Sequence, residues 1–262
     1  IKTKNFFLKR LIRILPIYYI FTVGVFIISW KFPFLVNNTT ADINHLIKSI
    51  FFIPFDKNGI GHYPILFIGW TLNYEMYFYS LFAVSLMISK RYRSLLCTFF
   101  LSFSYILCKD QIYLPLMVYS NSIVFEFVLG MMIYELIIVV RYRYIVYMSL
   151  MIFIAMFWGS ISINERFFYY GIPSAFAVGF FIYFFEGKNM PKFLLVLGSA
   201  SYAMYITHPF VIQIFSKVLN WFDSNIIFQT SASVLSLLLI NLLALGIYYF
   251  IELPSIKFLR KL

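Results

Sequence analysis

Long apolar runs bounded by short basic clusters constrain this chain more than any other feature of its sequence. About twenty helical residues cross the roughly 30 Å hydrocarbon core of a bilayer. Lipid offers no partner to an unpaired backbone amide, so apolar runs of this kind are predicted to be helices. Eight runs are predicted to span the membrane: residues 14–30, 65–89, 94–108, 122–140, 144–163, 167–185, 193–216 and 226–251.

The composition supports a membrane rather than a water-soluble protein. Apolar and aromatic residues make up 62% of the chain, charged residues only 12%, and the mean hydropathy is +0.87. Soluble domains are nearer 45–50% apolar and about 25% charged. The longest connection between runs covers only residues 31–64. The sequence therefore predicts one all-α domain over residues 1–262, a polytopic bundle of about eight transmembrane helices in a lipid bilayer.

The basic residues predict the orientation of that bundle. The net charge is +11, but lysines and arginines occur as clusters between apolar runs rather than along one polar face, which argues against nucleic acid as a partner. With eight helices, fifteen of the 21 lysines and arginines fall on the side of both termini. Basic loops are retained in the cytoplasm. Both ends of the chain are therefore predicted to be cytoplasmic.

The sequence contains no pattern typical of a metal or of a permanently bound cofactor. Cys97 and Cys108 lie in one apolar stretch without the spacing of a zinc site or a redox pair. The sequence Gly59-Ile60-Gly61 lacks the rest of a dinucleotide or phosphate loop. We therefore predict no metal and no resident cofactor.

Ionisable side chains inside the predicted spans are the first candidates for function, because they are costly in lipid and usually face the protein interior. For Glu126 and Glu135 a structural role, in which they hold helices together by hydrogen bonds, is favoured over a functional one. Glu75 has a stronger context, since Thr71 and Tyr79 share its helical face by the spacing of four residues. This partly polar stripe favours an interior cavity.

A second polar stripe is predicted in the seventh run. Gly198, Ser201, Tyr205 and His208 recur at steps of three, four and three, which places them along one side of a helix. His208 can be a structural residue that faces another helix, or it can belong to a substrate path with the two hydroxyls. An imidazole is able to act as a general base near neutral pH, but its presence alone does not establish that role.

Two charged groups lie at the ends of the chain. Arg10 and Arg13 are three residues apart on one helical face and suit phosphate groups, although membrane orientation and anionic-lipid anchoring are the favoured explanation for juxtamembrane arginines taken alone. At the other end Glu252 closes the last run beside Lys257 and Arg260. We expect that carboxylate to be solvated and to form an ordinary ion pair.

Three motifs, in this order, resemble the acyltransferase 3 membrane proteins, which O-acylate bacterial glycans. The first contains the arginine pair followed by proline and tyrosine, the second contains Glu75, and the third ends in His-Pro. They are residues 10–18 (RLIRILPIY), 70–79 (WTLNYEMYFY) and 198–209 (GSASYAMYITHP). The resemblance implies a multi-pass enzyme of the bacterial cytoplasmic membrane, with acyl-CoA as donor and a polysaccharide hydroxyl as acceptor.

Residue roles follow from the same resemblance. Arg10 and Arg13 match the family's arginine pair and are assigned to the phosphates of the coenzyme, most simply of acetyl-CoA. Glu75 and His208 are the candidate catalytic residues, and Glu75 would orient a catalytic partner or accept its proton. The residues implied to line the substrate cavity are Thr71, Ser201 and Tyr205.

One departure from the family pattern and two other interpretations remain. Family members begin with about two more helices, the first carrying an arginine and a histidine central to catalysis, so we expect this chain to be N-terminally incomplete. His208 is not that histidine. The other large family of membrane O-acyltransferases also uses an intramembrane histidine, but the arginine pair argues against it. A transporter or flippase of glycan intermediates is the non-enzyme alternative, for which broken helices and internal repeats would be typical.

Overall fold

A computed structural model describes residues 3–36, 39, 41–56, 63–108, 113–139, 167–219 and 226–261. These residues form helices and short connections, with no β-strand among them, so the predicted all-α class is confirmed. The helices, in chain order, are α1 (Thr3–Lys31), α2 (Ile43–Ile50), α3 (Gly69–Ile88), α4 (Arg93–Cys108), α5 (Leu114–Tyr119), α6 (Val124–Ile133), α7 (Ile172–Phe185), α8 (Lys192–Ser199), α9 (Ser201–Leu219), α10 (Ile226–Ile247) and α11 (Leu253–Leu259).

Among the described residues, four further segments are not regular α-helix. A 3₁₀ turn follows α1 at Pro33–Leu35. Three π-helical turns extend α6, precede α7 and link α10 to α11, and their bounds are Tyr134–Val139, Phe167–Gly171 and Tyr248–Glu252. A π turn shifts the register of the side chains that follow it, and such turns are frequent at functional sites.

In the described part of the chain, four helical segments are long and apolar enough to cross a membrane. They are Phe6–Lys31, Pro115–Leu136, Phe167–Phe185 and Phe228–Leu259. The last has strongly exposed apolar side chains, such as Leu242 at 66% and Phe250 at 84%, as expected of a surface in contact with lipid. The chain is therefore a multi-pass membrane protein.

The predicted number of about eight spans is not confirmed. The helices α8 and α9 form one further span only if the two are counted as a single bent span. The described residues therefore contain four or five membrane spans. The predicted run 94–108 forms α4, which is apolar but short. The predicted run 65–89 forms α3, whose polar side chains lower its hydropathy. The predicted run 144–163 lies outside the described residues.

One compact unit consists of residues 1–7 and 47–189. Its core contains Tyr74 on α3, Cys97 and Leu101 on α4, and Val124 on α6, all buried. The Tyr74 hydroxyl donates to the carbonyl of Val118 at 2.9 Å, which ties α3 to α5. Cys97 and Cys108 are both free thiols.

The other compact unit consists of residues 8–46 and 190–262. Within it α1 packs against α9, where the Tyr202 hydroxyl donates to the carbonyl of Ile14 at 2.9 Å. The rings of Phe21 and Phe210 continue the same contact, with centroids 5.9 Å apart. This contact joins the helix that carries the first motif to the helix that carries the third.

Candidate functional site

The first motif lies on α1, where its arginines have different surroundings. Arg10 is exposed and Arg13 is half-buried, while Ile12 and Ile14 between and beside them are buried. Positions three apart on a helix lie on neighbouring turns of one face. The pair therefore presents two guanidinium groups on one side of α1, and only Arg13 reaches into the protein.

Glu252 belongs to the same compact unit as Arg13 and is a buried charged residue. It lies at the end of the π turn, only 2% of its surface is exposed, and its Oε2 atom has no hydrogen-bond partner among the described residues. Its carboxylate interacts electrostatically with the guanidinium of Arg13. The expectation of a solvated carboxylate is wrong, whereas Lys257 and Arg260 are indeed exposed.

The second motif places Glu75 half-buried on α3. The Tyr79 hydroxyl, one turn further on, donates to Glu75 Oε2 at 3.1 Å. The Tyr79 ring also meets the ring of Phe6 edge-on, with centroids 6.1 Å apart. The Thr71 hydroxyl donates to the carbonyl of Ile68 at 3.2 Å. Tyr79 thus orients the Glu75 carboxylate, a contact consistent with the shared face predicted from the spacing.

The third motif is not one straight helix. The predicted run 193–216 breaks at Ala200, and the axes of α8 and α9 differ by 69°. Gly198 therefore lies on α8 and leaves the predicted stripe. Ser201, Tyr205 and His208 remain together on α9, Ser201 being exposed and the other two half-buried.

His208 is anchored to its own helix. Its Nδ1 atom lies 2.7 Å from the carbonyl oxygen of Tyr205, and the centroids of the two rings are 5.8 Å apart. The neighbouring Thr207 hydroxyl donates to the carbonyl of Ala203 at 2.9 Å. Thr207 and Ala203 are buried, whereas His208 is half-buried.

The candidate residues are divided between the two units. Arg10, Arg13, Glu252 and the residues of the third motif on α9 belong to the second, whereas Glu75 and Thr71 belong to the first. In the second unit the Tyr202–Ile14 hydrogen bond joins the arginine helix to the histidine helix. The catalytic, donor-binding and cavity roles expected for these residues remain predictions.

A cavity of about 260 Å³ lies in the first unit, between α6 and the π turn with α7. Glu126, Tyr170 and Ser174 are among the residues that line it, and none of the cavity residues expected from the sequence does so. A Cβ atom added to Gly171 would lie 3.2 Å from the Cγ atom of Glu126, so the glycine permits a close approach. Glu126 on α6 thus lies close to the backbone of Gly171 in the π turn before α7.

Glu135 also has a structural partner. The Ser94 hydroxyl donates to its Oε1 atom at 2.9 Å, which joins α4 to the π turn after α6. Among the residues that the structure describes, no three His, Cys, Asp or Glu side chains are grouped so that they could hold a metal ion. The hydroxyl, carboxylate and imidazole groups of the candidate residues can form hydrogen bonds, stabilise charge and transfer protons.

These features define a multi-pass membrane protein that places ionisable groups on its spanning helices. The chain belongs to the acyltransferase 3 family, whose acyltransferase domain matches residues 1–248. The resemblance inferred from the three motifs is thereby confirmed.

A curated relative supports the same assignment over part of the chain. The chain is 32% identical over 137 residues to the exopolysaccharide production protein ExoZ of Rhizobium meliloti (strain 1021). The alignment covers 50% of this chain and 42% of that protein, so the chain matches less than half the length of the relative. No solved structure matches the chain.

Proposed function

We propose that this protein transfers an acyl group from acyl-CoA, most simply acetyl-CoA, to a hydroxyl of a cell-surface or exported polysaccharide. The match of the acyltransferase domain to residues 1–248 carries this proposal. The name of the partial relative, an exopolysaccharide production protein, supports a carbohydrate acceptor. The enzyme would act in the bacterial cytoplasmic membrane.

The donor site of the proposal is the arginine pair on α1. Guanidinium groups form bidentate, charge-assisted hydrogen bonds with phosphate oxygens, and coenzyme A is rich in phosphate. In the predicted eight-helix arrangement, lysine and arginine are in excess on the side of both termini, which supports a cytoplasmic location for Arg10 and Arg13, where acyl-CoA is available. The exposure of Arg10 is compatible with direct contact to a phosphate.

The acceptor side of the proposal uses the polar side chains of the second and third motifs. Glu75 and His208 are the proposed catalytic residues, and the hydroxyls of Thr71, Ser201 and Tyr205 would line the path of the sugar. The Tyr79 hydrogen bond supports a defined orientation of the Glu75 carboxylate. Such a carboxylate can orient a catalytic partner or accept its proton.

The arginine pair gives a direct test in the full-length protein. We expect Arg10→Ala/Arg13→Ala to raise the KM for acyl-CoA at least about tenfold, because two charge-assisted phosphate contacts are lost. Insertion into the membrane should be unchanged. The matched control is Lys9→Ala, since Lys9 is an exposed cation adjacent to the pair. Radiolabelled acetyl transfer to the host polysaccharide is the measurement, and an unchanged KM in the double variant would remove the pair from the donor site.

The break between α8 and α9 favours one alternative, a transporter or flippase of glycan intermediates. Discontinuous helices are typical of transporters, in which they form the substrate site. Reconstituted vesicles separate the two functions, because translocation of a lipid-linked glycan in the absence of acyl-CoA is expected only of a flippase. Acyl transfer without translocation supports the acyltransferase.

A further inference from the structure

Pro209 changes the hydrogen bonding of α9 immediately after His208. In a regular helix the N–H of residue 209 donates to the carbonyl of residue 205, but proline has no N–H. A backbone carbonyl that lacks a donor is costly in a membrane, and side chains or neighbouring groups usually replace the lost bond. In this protein the imidazole of His208 replaces the lost donor, since its Nδ1 atom lies 2.7 Å from the carbonyl oxygen of Tyr205.

This contact determines which nitrogen of His208 carries the proton. A carbonyl oxygen only accepts hydrogen bonds, so the Nδ1 atom must donate and must carry a hydrogen. In a neutral imidazole the other nitrogen then has the lone pair. The Nε2 atom of His208 is therefore the accepting atom, as long as the Tyr205 carbonyl holds Nδ1.

The surroundings of the imidazole suit a fixed ring. Its Nδ1 edge is held by the helix backbone, and the Tyr205 ring packs beside it with centroids 5.8 Å apart. The residues immediately before it, Ile206 and Thr207, are buried. His208 itself is only half-buried, so its side chain is not sealed in the core.

We infer that Pro209 is a positioning residue that fixes His208 in the Nδ1–H form, so that Nε2 accepts a hydrogen bond from a hydroxyl of the polysaccharide acceptor. The inference rests on the proposed function for the identity of the hydroxyl. The tautomer itself depends only on the proline, the carbonyl and the imidazole. No proton is transferred in this step, because the hydroxyl keeps its hydrogen.

Nitrogen NMR of the full-length protein tests the tautomer without any substrate. The chain has three histidines, so selective ¹⁵N-histidine labelling gives few signals, and loss of one set in His208→Asn assigns them. In lipid nanodiscs above neutral pH we expect His208 in the Nδ1–H form. In Pro209→Ala the restored backbone N–H competes for the carbonyl, and the Nε2–H form should appear. A wild-type His208 in the Nε2–H form overturns the inference, even if the proline variant does not fold.

Two substitutions at position 208 test the contact with the acceptor. The asparagine side chain retains a hydrogen-bond donor near the position of Nδ1 but has no atom near the position of Nε2. The longer glutamine side chain places its amide group near the position of Nε2. We expect His208→Asn to raise the KM for the polysaccharide about tenfold and His208→Gln to raise it less, since one hydrogen bond is at stake. The KM for acyl-CoA should not change.

If the wild type and His208→Asn transfer acyl groups with equal KM values for the polysaccharide, the contact between His208 and the acceptor is refuted. The proposed acyltransferase function is not refuted by that result. A wild-type protein that transfers no acyl group refutes the proposed function and the acceptor contact with it. The NMR result on the tautomer is independent of the acceptor contact and of the proposed function, since it requires no enzymatic activity. The failure of the inference and the failure of the proposed function are thus distinguishable.

Discussion

Replacing Arg13 by alanine should destabilise the protein mainly because Glu252 loses its charged partner, and less because the contacts of the arginine side chain are lost. Glu252 is 2% exposed and interacts electrostatically with Arg13, and its Oε2 atom has no hydrogen-bond partner in the described part of the chain. Without the guanidinium, this buried side chain would lose the compensating charge of Arg13, and it would have to carry an uncompensated charge or take up a proton. Breaking a fully buried pair costs about 3–5 kcal/mol. Arg13 is half-exposed, so solvent screening lowers the expected loss to about 1–3 kcal/mol.

Neutralising Glu252 should reverse most of this loss. Glu252→Gln removes the buried charge and keeps the size of the side chain, so Arg13→Ala should be well tolerated in that background. A double-mutant cycle isolates the coupling between the two residues, which we expect to be about 1–3 kcal/mol. Glu252→Gln alone should change the free energy of unfolding much less than Arg13→Ala.

Thermal unfolding in nanodiscs or a mild detergent is the assay. A loss of 1 kcal/mol lowers Tm by roughly 2–4 °C in a protein of this size, so Arg13→Ala should unfold several degrees below the wild type. Arg10→Ala is the matched control, because Arg10 is exposed and its replacement should stay within about 0.5 kcal/mol. Equal effects of the two arginine substitutions, or no rescue by Glu252→Gln, would refute the coupling.

The remaining predictions concern the other unit. Tyr79→Phe removes the hydroxyl that donates to Glu75 at 3.1 Å, and if Glu75 accepts a proton during transfer, the pH profile of acyl transfer should shift while membrane insertion stays intact. A profile unchanged from that of the wild type would exclude such a role. Gly171→Ala places a Cβ atom 3.2 Å from a neighbouring Cγ atom, whereas Gly130→Ala meets nothing within 4 Å. The first should therefore be about 1 kcal/mol less stable than the second in thermal unfolding, and equal stabilities would contradict the close approach.

The membrane class and the positions of several spans could be predicted from the sequence because hydropathy is a local property. The predicted run 167–185 coincides with the span Phe167–Phe185, and run 14–30 lies within Phe6–Lys31. The order of the motifs was likewise sufficient to indicate the family. The predicted number of about eight spans is not confirmed, since α4 is apolar but short and the polar side chains of α3 lower its hydropathy.

Other features of the candidate site could not be predicted. The break at Ala200 separates Gly198 from the polar stripe predicted in the seventh run. The sequence GSAS lies in an apolar run and contains no proline, so it gives no signal of a break. The role of Pro209 was also missed, since a proline inside a helix indicates a lost hydrogen bond but not the group that replaces it. In this case the signal was present, because a histidine immediately precedes the proline.

The sequence by itself determined a helical protein of the membrane, a family and the order of its motifs, because composition, hydropathy and motif spacing are read along the chain. Only the tertiary structure decided which charges are buried and what they face. Arg13 and Glu252 lie near opposite ends of the chain, and the π turn at Tyr248–Glu252 places the carboxylate inside the protein rather than in water. Burial and electrostatic pairing depend on neighbours in space, and packing against distant helices therefore sets them.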